Sequence, residues 1–342
     1  MHLSTTPILT SQIITDKITL TQLSCIKKLH MKTNQKKIGA AIIIITMIIV
    51  LGYIAKIRFN QTQAIQNTSS KPQIVTSFYP LYFFTSQIAL DKADVYNITP
   101  AGAEPHDYEP STQDMTKIEN STILVLNGGK LEAWGDKIKE NLKDKKTLII
   151  TVGNNIANQQ VVEENNTIQD PHIWLDPILA KKEVNLITQG LIQVDPNNSN
   201  YYQTNAQTLL TKLDNLDTQY RQGLNSCAKK DIITSHAAFG YLASQYHLNQ
   251  VSIAGLSPDA EPSVQKIIEV SDFAKKNQVK YIFFESLVSP KLSQTIAAET
   301  GAQTLVLNPI EGLSDAEINN GKNYFTEMKS NLTNLKLALS CQ

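Results

Sequence analysis

Short apolar runs alternate with longer segments of helical periodicity along this chain of 342 residues, and the alternation occurs in two separate series. Such alternation is typical of a parallel sheet with crossover helices, and the length suits two lobes better than one ordinary domain. The first series of predicted strands covers residues 74–78, 95–99, 122–126 and 147–151. The second series covers residues 231–235, 251–254, 281–284 and 304–307. We therefore predict an α/β fold with two similar lobes.

The segment between the two series carries apolar residues at steps of three and four, which predicts one long amphipathic helix. These residues are Tyr202, Ala206, Leu209, Leu210, Leu213, Leu216, Tyr220 and Leu224. A helix over residues 198–225 would extend about 40 Å at 1.5 Å per residue, enough to run along both lobes and join them. We therefore predict a first lobe over residues 72–197, a linker helix over 198–225 and a second lobe over 226–342.

Residues 38–55 form an apolar run relieved only by Thr46 and Tyr53, about the length needed to cross the hydrocarbon core of a bilayer. Basic side chains are more frequent before this run than after it, so the N-terminus is predicted to lie in the cytoplasm. The basic residues before it are Lys27, Lys28, Lys32, Lys36 and Lys37, and those just after it are Lys56 and Arg58. We predict a cytoplasmic segment 1–37, an uncleaved transmembrane anchor over 38–55 and a flexible stalk over 56–71. The lobes would then lie outside, on a single-pass protein of the cell membrane.

The numbers of basic and acidic side chains are equal, 31 of each, which gives a formal net charge of zero. Binding to nucleic acid needs a basic face, so this charge balance argues against a nucleic acid partner. With 42% hydrophobic and 18% charged residues, the lobes are expected to fold as packed globules, and we expect a monomer.

The three cysteines bear on the anchor and on the second lobe. Cys25 precedes the apolar run and therefore cannot be the lipid-bearing cysteine that follows a lipoprotein signal. Cys227 and Cys341 are predicted to lie outside the cell, where disulfides persist. Their spacing is compatible both with a bridge that closes the second lobe and with two free thiols.

Three of the six histidines follow predicted strands, and a carboxylate does the same. These residues are His106, His172, His236 and Glu285. Ligands of open parallel sheets bind beyond the carboxyl ends of the strands, where the loops converge. Three imidazoles and one carboxylate, two groups from each lobe, suit tetrahedral Zn²⁺, whereas Mg²⁺ and Ca²⁺ prefer mostly oxygen ligands. The sequence therefore predicts a transition-metal site in the cleft between the lobes.

Neighbouring side chains leave alternatives open. Glu285 considered alone is also compatible with a position near a helix N-terminus or with a surface charge. Trp174 is interpreted first as packing, with shielding of the site from water as a second role. Glu104 and Asp107 are either acceptors that orient an imidazole or solvated loop charges. His247, like the two N-terminal histidines, is interpreted as a surface residue.

Six segments occur in order along the chain: GAEPHDYEPS, DPHIWLDP, TSHAAFGYLA, LSPDAEPS, FFESLVSPKLSQTIAAETGA and VLNPIEGL. Together they resemble the zinc and manganese group of solute-binding proteins of ABC importers, from about residue 72 to the C-terminus. The resemblance implies two Rossmann-like lobes joined by one rigid helix, a metal site in the cleft between them, and delivery of the ion to an ABC transporter permease. The ligand positions of the family correspond to His106, His172, His236 and Glu285. Histidine at the third position resembles the zinc members, since manganese members usually carry a carboxylate there.

Two features depart from the family pattern. Many zinc members carry a His-rich acidic loop before the second ligand, whereas residues 158–170 contain no histidine. The usual lipid anchor is replaced by the predicted transmembrane helix. The first departure weakens any expectation of metal scavenging by a loop, and the second changes the tether without changing the site.

The predicted function is a receptor that captures Zn²⁺ as a transported ligand and delivers it to the permease for uptake. Four protein ligands leave no open coordination position, whereas catalytic zinc sites keep one for water, so no enzymatic activity is expected. A manganese or iron receptor of the same family is the nearest alternative. Two other classes stay open: a zinc-dependent hydrolase with Glu285 as general base, and a surface adhesin that keeps the receptor fold. The sequence has no HExxH-type helix to favour the hydrolase.

Overall fold

The structure, a computed structural model, describes residues 45–54, 56, 71–163 and 166–342. The residues from Lys71 onward form one compact unit. The predicted cytoplasmic segment 1–37, which includes Cys25, and most of the predicted stalk lie outside the described residues.

The predicted anchor over residues 38–55 is described only at residues 45–54, which are helical. The large apolar side chains of this helix are exposed: Ile45, Met47, Ile48, Ile49, Val50, Leu51, Tyr53 and Ile54. Among the described residues, no helix combines the length and the apolar character needed to cross a membrane.

The first lobe is built on a parallel sheet of four strands in the order β2-β1-β3-β4. The strands are β1 (Gln73–Thr76), β2 (Asp94–Asn97), β3 (Ile123–Leu126) and β4 (Leu148–Thr151). The crossover helices are α1 (Tyr79–Ala89), α2 (Thr112–Asn120) and α3 (Gly135–Leu142). Because β1 pairs with β2 on one side and β3 on the other, the chain reverses direction across the sheet at β1. Ligand sites of such sheets lie at this reversal.

An antiparallel hairpin follows the first sheet and consists of β5 (Gln160–Glu163) and β6 (Asn166–Gln169). The sequence did not predict these strands, because this stretch is rich in Asn, Gln and Glu and lacks a strong apolar alternation. The hairpin leads directly to Asp170 and His172, so it positions the second predicted ligand.

The linker helix, α5, spans Ser199–Leu224 and follows α4 (Pro177–Val194). Its buried residues are Tyr202, Ala206, Leu209, Leu213, Leu216, Tyr220 and Leu224, which match the predicted apolar stripe except at the half-buried Leu210. Near its start, Asn205 Nδ2 donates to the carbonyl of Ile88 in the first lobe (3.0 Å). Near its end, the Tyr220 hydroxyl donates to the carbonyl of Met328 (2.7 Å). The helix is therefore hydrogen-bonded to both lobes, while the domain boundaries predicted from the sequence stay predictions.

The second lobe repeats the architecture with a parallel sheet in the order β10-β9-β7-β8. The strands are β7 (Asp231–Thr234), β8 (Asn249–Ser252), β9 (Tyr281–Phe284) and β10 (Gln303–Val306). The helices are α6 (Gly240–Gln245), α7 (Val264–Asn277), α8 (Lys291–Thr300), α9 (Asp315–Asn319) and α10 (Tyr324–Ala338). Strand β8 begins and ends two residues earlier than predicted and includes the polar Gln250, whose Nε2 donates to Thr234 Oγ1 (2.8 Å).

A disulfide joins Cys227, just before β7, to Cys341 at the chain end. The backbone pairs beside it, with Lys229 N donating to the carbonyl of Leu339 (3.0 Å). Two four-stranded parallel sheets connected by one long helix confirm the predicted fold class.

Candidate metal centre

His106 lies in the loop between β2 and α2, near the rim of the cleft, and its side chain is 8% exposed. The carboxylate of Glu104 accepts a hydrogen bond from the backbone N–H of His106 (3.3 Å). The loop ends at a capping box in which Ser111 and Asp114 bond each other's backbone N–H groups. The Tyr108 hydroxyl donates to the same Asp114 carboxylate (2.6 Å). Local turns therefore hold this loop.

His172 follows the hairpin and is fully buried. Asp170 Oδ1 accepts from the backbone N–H of His172 (2.9 Å) and pairs with its Nδ1 (2.8 Å). Asn127 Nδ2 donates to the carbonyl of Pro171 (2.9 Å), and the Tyr241 hydroxyl donates to the carbonyl of Asp170 (3.2 Å). A carboxylate on Nδ1 fixes the proton there, so the lone pair of Nε2 is free to bind a metal.

His236 is the second residue after β7 and is also fully buried. Its Nδ1 lies 2.5 Å from Glu285 Oε1, and the Ser235 hydroxyl donates to the same oxygen. Glu285, the first residue after β9, therefore lies behind the imidazole ring and fixes its orientation. The chain reverses direction across the second sheet at β7, as it does at β1 in the first lobe. His236 follows β7, and Glu285 follows the neighbouring strand β9.

The Nε2 atoms of the three histidines point to a common place, which they share with a carboxylate that the sequence prediction missed, Glu311. His172 Nε2 lies 3.3 Å from the Nε2 atoms of both His106 and His236. Glu311 Oε1 lies 3.4 Å from Nε2 of both His106 and His236. The same oxygen lies 3.2 Å from His172 Nε2.

These distances can be compared with those of a regular tetrahedral zinc site. With metal–ligand bonds of about 2.0–2.1 Å, neighbouring donor atoms lie roughly 3.3 Å apart. Both carboxylate oxygens of Glu311 are buried without a hydrogen-bond partner among the described residues. A buried carboxylate facing three nitrogen lone pairs is unfavourable unless a metal ion or protons on the imidazoles lie between them. Five of the six donor–donor distances are close to this value, and all four donors lie within 4.8 Å of one another, so the donor set fits one small cation such as Zn²⁺.

The electrostatic environment differs among the three imidazoles. Burial lowers the pKa of His106. Burial also opposes protonation of the other two, but the acidic partners on Nδ1 and the Glu311 carboxylate outweigh it. The pKa of His172 is therefore raised, and that of His236 is raised well above its ordinary value. Burial opposes ionisation of Glu311, yet the surrounding imidazoles hold its pKa well below the usual range, so it is a carboxylate.

The position of Glu285 differs from the sequence prediction, in which it was a metal ligand. The structure brings His106, His172 and His236 together and puts Glu311, not Glu285, at the fourth position. Glu285 Oε1 is committed to Nδ1 of His236, on the side of the ring away from the shared point. The physical reason is the distance along the chain from the end of the strand. Glu285 directly follows β9 and reaches only the His236 ring beside it, whereas Glu311 lies five residues beyond β10 and its loop extends to the three Nε2 atoms.

Glu104, Asp107 and Trp174, which the sequence suggested as neighbours of the metal ligands, make different contacts. Glu104 accepts from a backbone N–H and not from a ring, and burial together with the charge of Glu311 raises its pKa to about 9. Asp107 is exposed and hydrogen-bonded to Asp259, which raises the pKa of Asp107 to about 6. Trp174 is fully buried, and its indole N–H donates to the carbonyl of Pro309 (2.7 Å).

Comparison with known proteins identifies the family of this chain. The model of the family described as "ZnuA: Zinc-uptake complex component A periplasmic" matches residues 74–338. The High-affinity zinc uptake system protein ZnuA of Bacillus subtilis (strain 168) is 40% identical over 280 residues, which cover 79% of this chain and 88% of that protein. The chain belongs to the ZnuA family.

Two solved structures are also similar to this chain. The crystal structure of Zn(II)-bound AdcA from Streptococcus pneumoniae is 39% identical with a TM-score of 0.70, covering 80% of this chain. This chain spans only 59% of that AdcA chain, so AdcA is considerably longer. The laminin binding protein (Lmb) of Streptococcus agalactiae, described as "a bifunctional protein with adhesin and metal transporting activity", is 32% identical with a TM-score of 0.72. The match covers 79% of this chain and 100% of Lmb.

Glu311 was not predicted from the sequence, although a signal for it is present. The residue lies in VLNPIEGL, a segment that carries part of the resemblance, and follows the last strand of the second lobe. The rule that selected the histidines, a donor beyond the carboxyl end of a strand, also applies to Glu311. Glu285 was selected because it directly follows a strand, although the structure uses it to orient His236.

Proposed function

We propose that this protein captures Zn²⁺ outside the cytoplasmic membrane and delivers it to an ABC transporter permease for uptake. The observation that carries the proposal is the convergence of three imidazole nitrogens and one carboxylate oxygen within 4.8 Å of one another. The proposed ligands are His106, His172, His236 and Glu311. The names of the ZnuA and AdcA relatives support the same metal.

The choice of zinc over manganese rests on the donor set. Neutral imidazoles suit zinc, whereas manganese favours sites with more carboxylate and other oxygen donors. The site has three nitrogens and one oxygen, and the carboxylates of Asp170 and Glu285 bond the rings instead of facing the centre. Zinc is therefore the proposed cargo, with manganese or iron as the alternative within the family.

The geometry favours holding the ion over catalysis. In the proposed site, Glu311 takes the coordination position that a catalytic zinc site keeps for water. Glu285, the general base of the hydrolase alternative, lies against Nδ1 of His236, so the ring separates it from any metal-bound water. We propose no enzymatic activity for this chain.

A second candidate function, adhesion, is favoured only by the likeness to Lmb. Adhesion would use the outer surface of the lobes and not the buried donors. Adhesion of cells that express Glu311→Gln tests the separation, because uptake should fall while adhesion persists. If adhesion falls in parallel with zinc binding, the two activities share the site.

Metal analysis of the full chain tests the proposal directly. We expect about one zinc per chain after purification without added metal, and displacement of bound Mn²⁺ by equimolar Zn²⁺. Zinc-limited growth of a strain that lacks this chain should be rescued by the wild type and not by His236→Ala. A protein that binds no zinc under these conditions would refute the proposal.

The attachment to the membrane is also part of the proposal. The apolar run over residues 38–55 and the exposed apolar side chains of its described helix support insertion into lipid. The full chain should stay in the membrane pellet after an alkaline carbonate wash. Release into the supernatant would exclude an integral anchor.

A further inference from the structure

The segment that carries Glu311 has an unusual backbone. Ile310, directly before Glu311, has φ +60°, in the left-handed region. A β-branched residue rarely adopts this conformation, because its Cβ crowds the following carbonyl. Ile310 is also fully buried in the main core cluster. Such a conformation persists only when the surrounding structure enforces it.

A buried polar network enforces this conformation from the side of the second lobe. Asn308 N donates to Asn331 Oδ1 (2.8 Å), and Asn331 Nδ2 donates to the carbonyl of Asn308 (2.7 Å). Asn308 Oδ1 accepts from Ile310 N (2.8 Å), and its Nδ2 donates to Glu327 Oε2 (3.2 Å). All these side chains are buried, and every hydrogen-bonding group of Asn308 has a partner. Side chains of helix α10 thus hydrogen-bond to Asn308, and Asn308 in turn fixes the backbone at Ile310.

The first lobe also forms a hydrogen bond to this loop. The indole N–H of Trp174 donates to the carbonyl of Pro309 (2.7 Å). The Tyr324 hydroxyl, at the start of α10, donates to the carbonyl of Trp174 (2.6 Å). Trp174 follows His172 by only two residues, so this bond sets the Glu311 loop relative to a histidine of the first lobe.

We infer that Asn308, Asn331 and Trp174 are positioning residues that hold the strained turn at Ile310 and thereby keep Glu311 at the fourth ligand position. The inference rests on the proposed zinc function and names residues that determine the affinity of the same site. A carboxylate on an unrestrained loop would sample other positions, and the three histidines would then hold the ion with solvent in place of Glu311. Removal of the network should therefore resemble removal of the Glu311 carboxylate.

The first experiment compares Asn331→Ala with a matched control on the same helix, Asn334→Ala. Asn334 Nδ2 donates to the carbonyl of Val306 at the end of β10 (2.8 Å), and Asn334 is not among the hydrogen-bond partners of Asn308. Zinc affinity of the full chain is measured by competition with a chromogenic chelator. We expect Asn331→Ala to weaken binding about 10- to 100-fold, as for other groups that orient metal ligands, and Asn334→Ala to stay near the wild type.

A double-mutant comparison separates positioning from a general loss of stability. In the Glu311→Gln background, Asn331→Ala should have little further effect on zinc affinity, because the group it positions has been removed. In the His236→Ala background the two losses should add. Equal effects of Asn331→Ala in both backgrounds would overturn the inference.

The cobalt(II) spectrum provides a readout that a purely structural role would not change. The wild type saturated with Co²⁺ should show the intense visible bands of four-coordination. Asn331→Ala at saturation should show the same change in band position and intensity as Glu311→Gln, since solvent replaces the carboxylate in both. A wild-type spectrum together with an affinity equal to that of Asn334→Ala would overturn the inference.

Trp174→Phe keeps the test decisive if Asn331→Ala does not fold, because it deletes the indole N–H and keeps an aromatic ring in the core. It should also shift the cobalt spectrum toward that of Glu311→Gln, and an unchanged spectrum would overturn the role of the loop contacts. Failure of the proposed function looks different, since the wild type itself would then bind no zinc.

Discussion

The metal centre has a rim and an interior that are built differently. At the rim, His106 lies on a loop held by its own turns, and burial lowers its pKa. In the interior, His172 and His236 are fully buried, and each has a carboxylate on Nδ1 that raises its pKa. The difference indicates that carboxylates orient the two interior imidazoles, whereas the rim imidazole has no carboxylate on Nδ1 among the described residues.

The largest expected effect separates the two regions directly. Apparent zinc affinities of about 10–16 kcal/mol shared among four ligands give roughly 3 kcal/mol each, or on the order of 100-fold per ligand. His172→Ala or His236→Ala should exceed this loss, because each also leaves a buried carboxylate unpaired. His106→Ala should cost less, and chelator competition measures all three.

The control for this series is His247→Asn, an exposed histidine outside the site whose left-handed backbone asparagine tolerates. It should bind zinc like the wild type. If His106→Ala proves the most damaging of the histidine variants, the distinction between rim and interior is wrong.

The second prediction compares the two carboxylates that contact His236. Glu311→Gln removes a charged ligand and should lower zinc affinity by about 100-fold, whereas Glu285→Gln disturbs only ring orientation and should cost about tenfold. X-ray absorption of zinc-loaded Glu285→Gln should still give three nitrogens and one protein oxygen. A loss of the carboxylate oxygen in Glu285→Gln but not in Glu311→Gln would restore Glu285 as the ligand.

The fold was largely predictable from sequence because its signals are local. Apolar runs such as 281–284 coincide with strands, and the apolar stripe of α5 repeats at helical steps. The hairpin of β5 and β6 was missed, because polar strands give little periodic signal. Residues 249 and 250 were missed for a similar reason, since Gln250 finds its partner on another strand.

The metal ligands were predictable from the sequence only where a residue's position after a strand was enough to bring it to the site. His106, His172 and His236 follow predicted strands, and the structure brings all three together. The choice between Glu285 and Glu311 depends on loop length and on a left-handed residue at position 310, which a sequence does not display. Hydrogen-bond partners such as Asp170 on His172 are likewise a product of tertiary geometry.

The third prediction uses pH to compare the regions. Ligand imidazoles must be neutral, and the raised pKa values of His172 and His236 mean that protons compete with zinc already above the ordinary histidine pKa of about 6.5. Asp170→Asn removes the partner that raises the pKa of His172. We expect zinc affinity to fall about tenfold at pH 7.5 from the lost orientation.

The same substitution lessens proton competition at His172, so the deficit of Asp170→Asn relative to the wild type should shrink as the pH falls toward 6. Without metal, the raised pKa of His172 stabilises the fold below about pH 6.5, and this stabilisation is lost as the pH rises through the folded-state pKa. Calorimetric titrations at several pH values measure the ratio of affinities, and a constant ratio would contradict the assignment.

The smallest effect is expected where the loops of the rim and the interior touch. Gly102 N, in the His106 loop, donates to the carbonyl of Leu313 (3.1 Å), just beyond Glu311. A Cβ at Gly312 would lie 3.2 Å from the carbonyl oxygen of Ala103 and 3.3 Å from Leu287 Cδ1. Gly312→Ala should push the two loops apart by a few tenths of an ångström and cost about 1 kcal/mol, or about fivefold in zinc affinity.

The cause of this loss can be assigned by relieving one of the two contacts. Leu287→Ala combined with Gly312→Ala removes the side-chain contact but not the one with the Ala103 carbonyl. If the affinity of the double variant stays below that of Leu287→Ala alone, the close approach of the two ligand loops limits binding, because the backbone of the His106 loop cannot be shortened. If Gly312→Ala binds zinc as tightly as the wild type, the rim loop adapts freely, and its contact with the Glu311 loop has no part in setting the affinity.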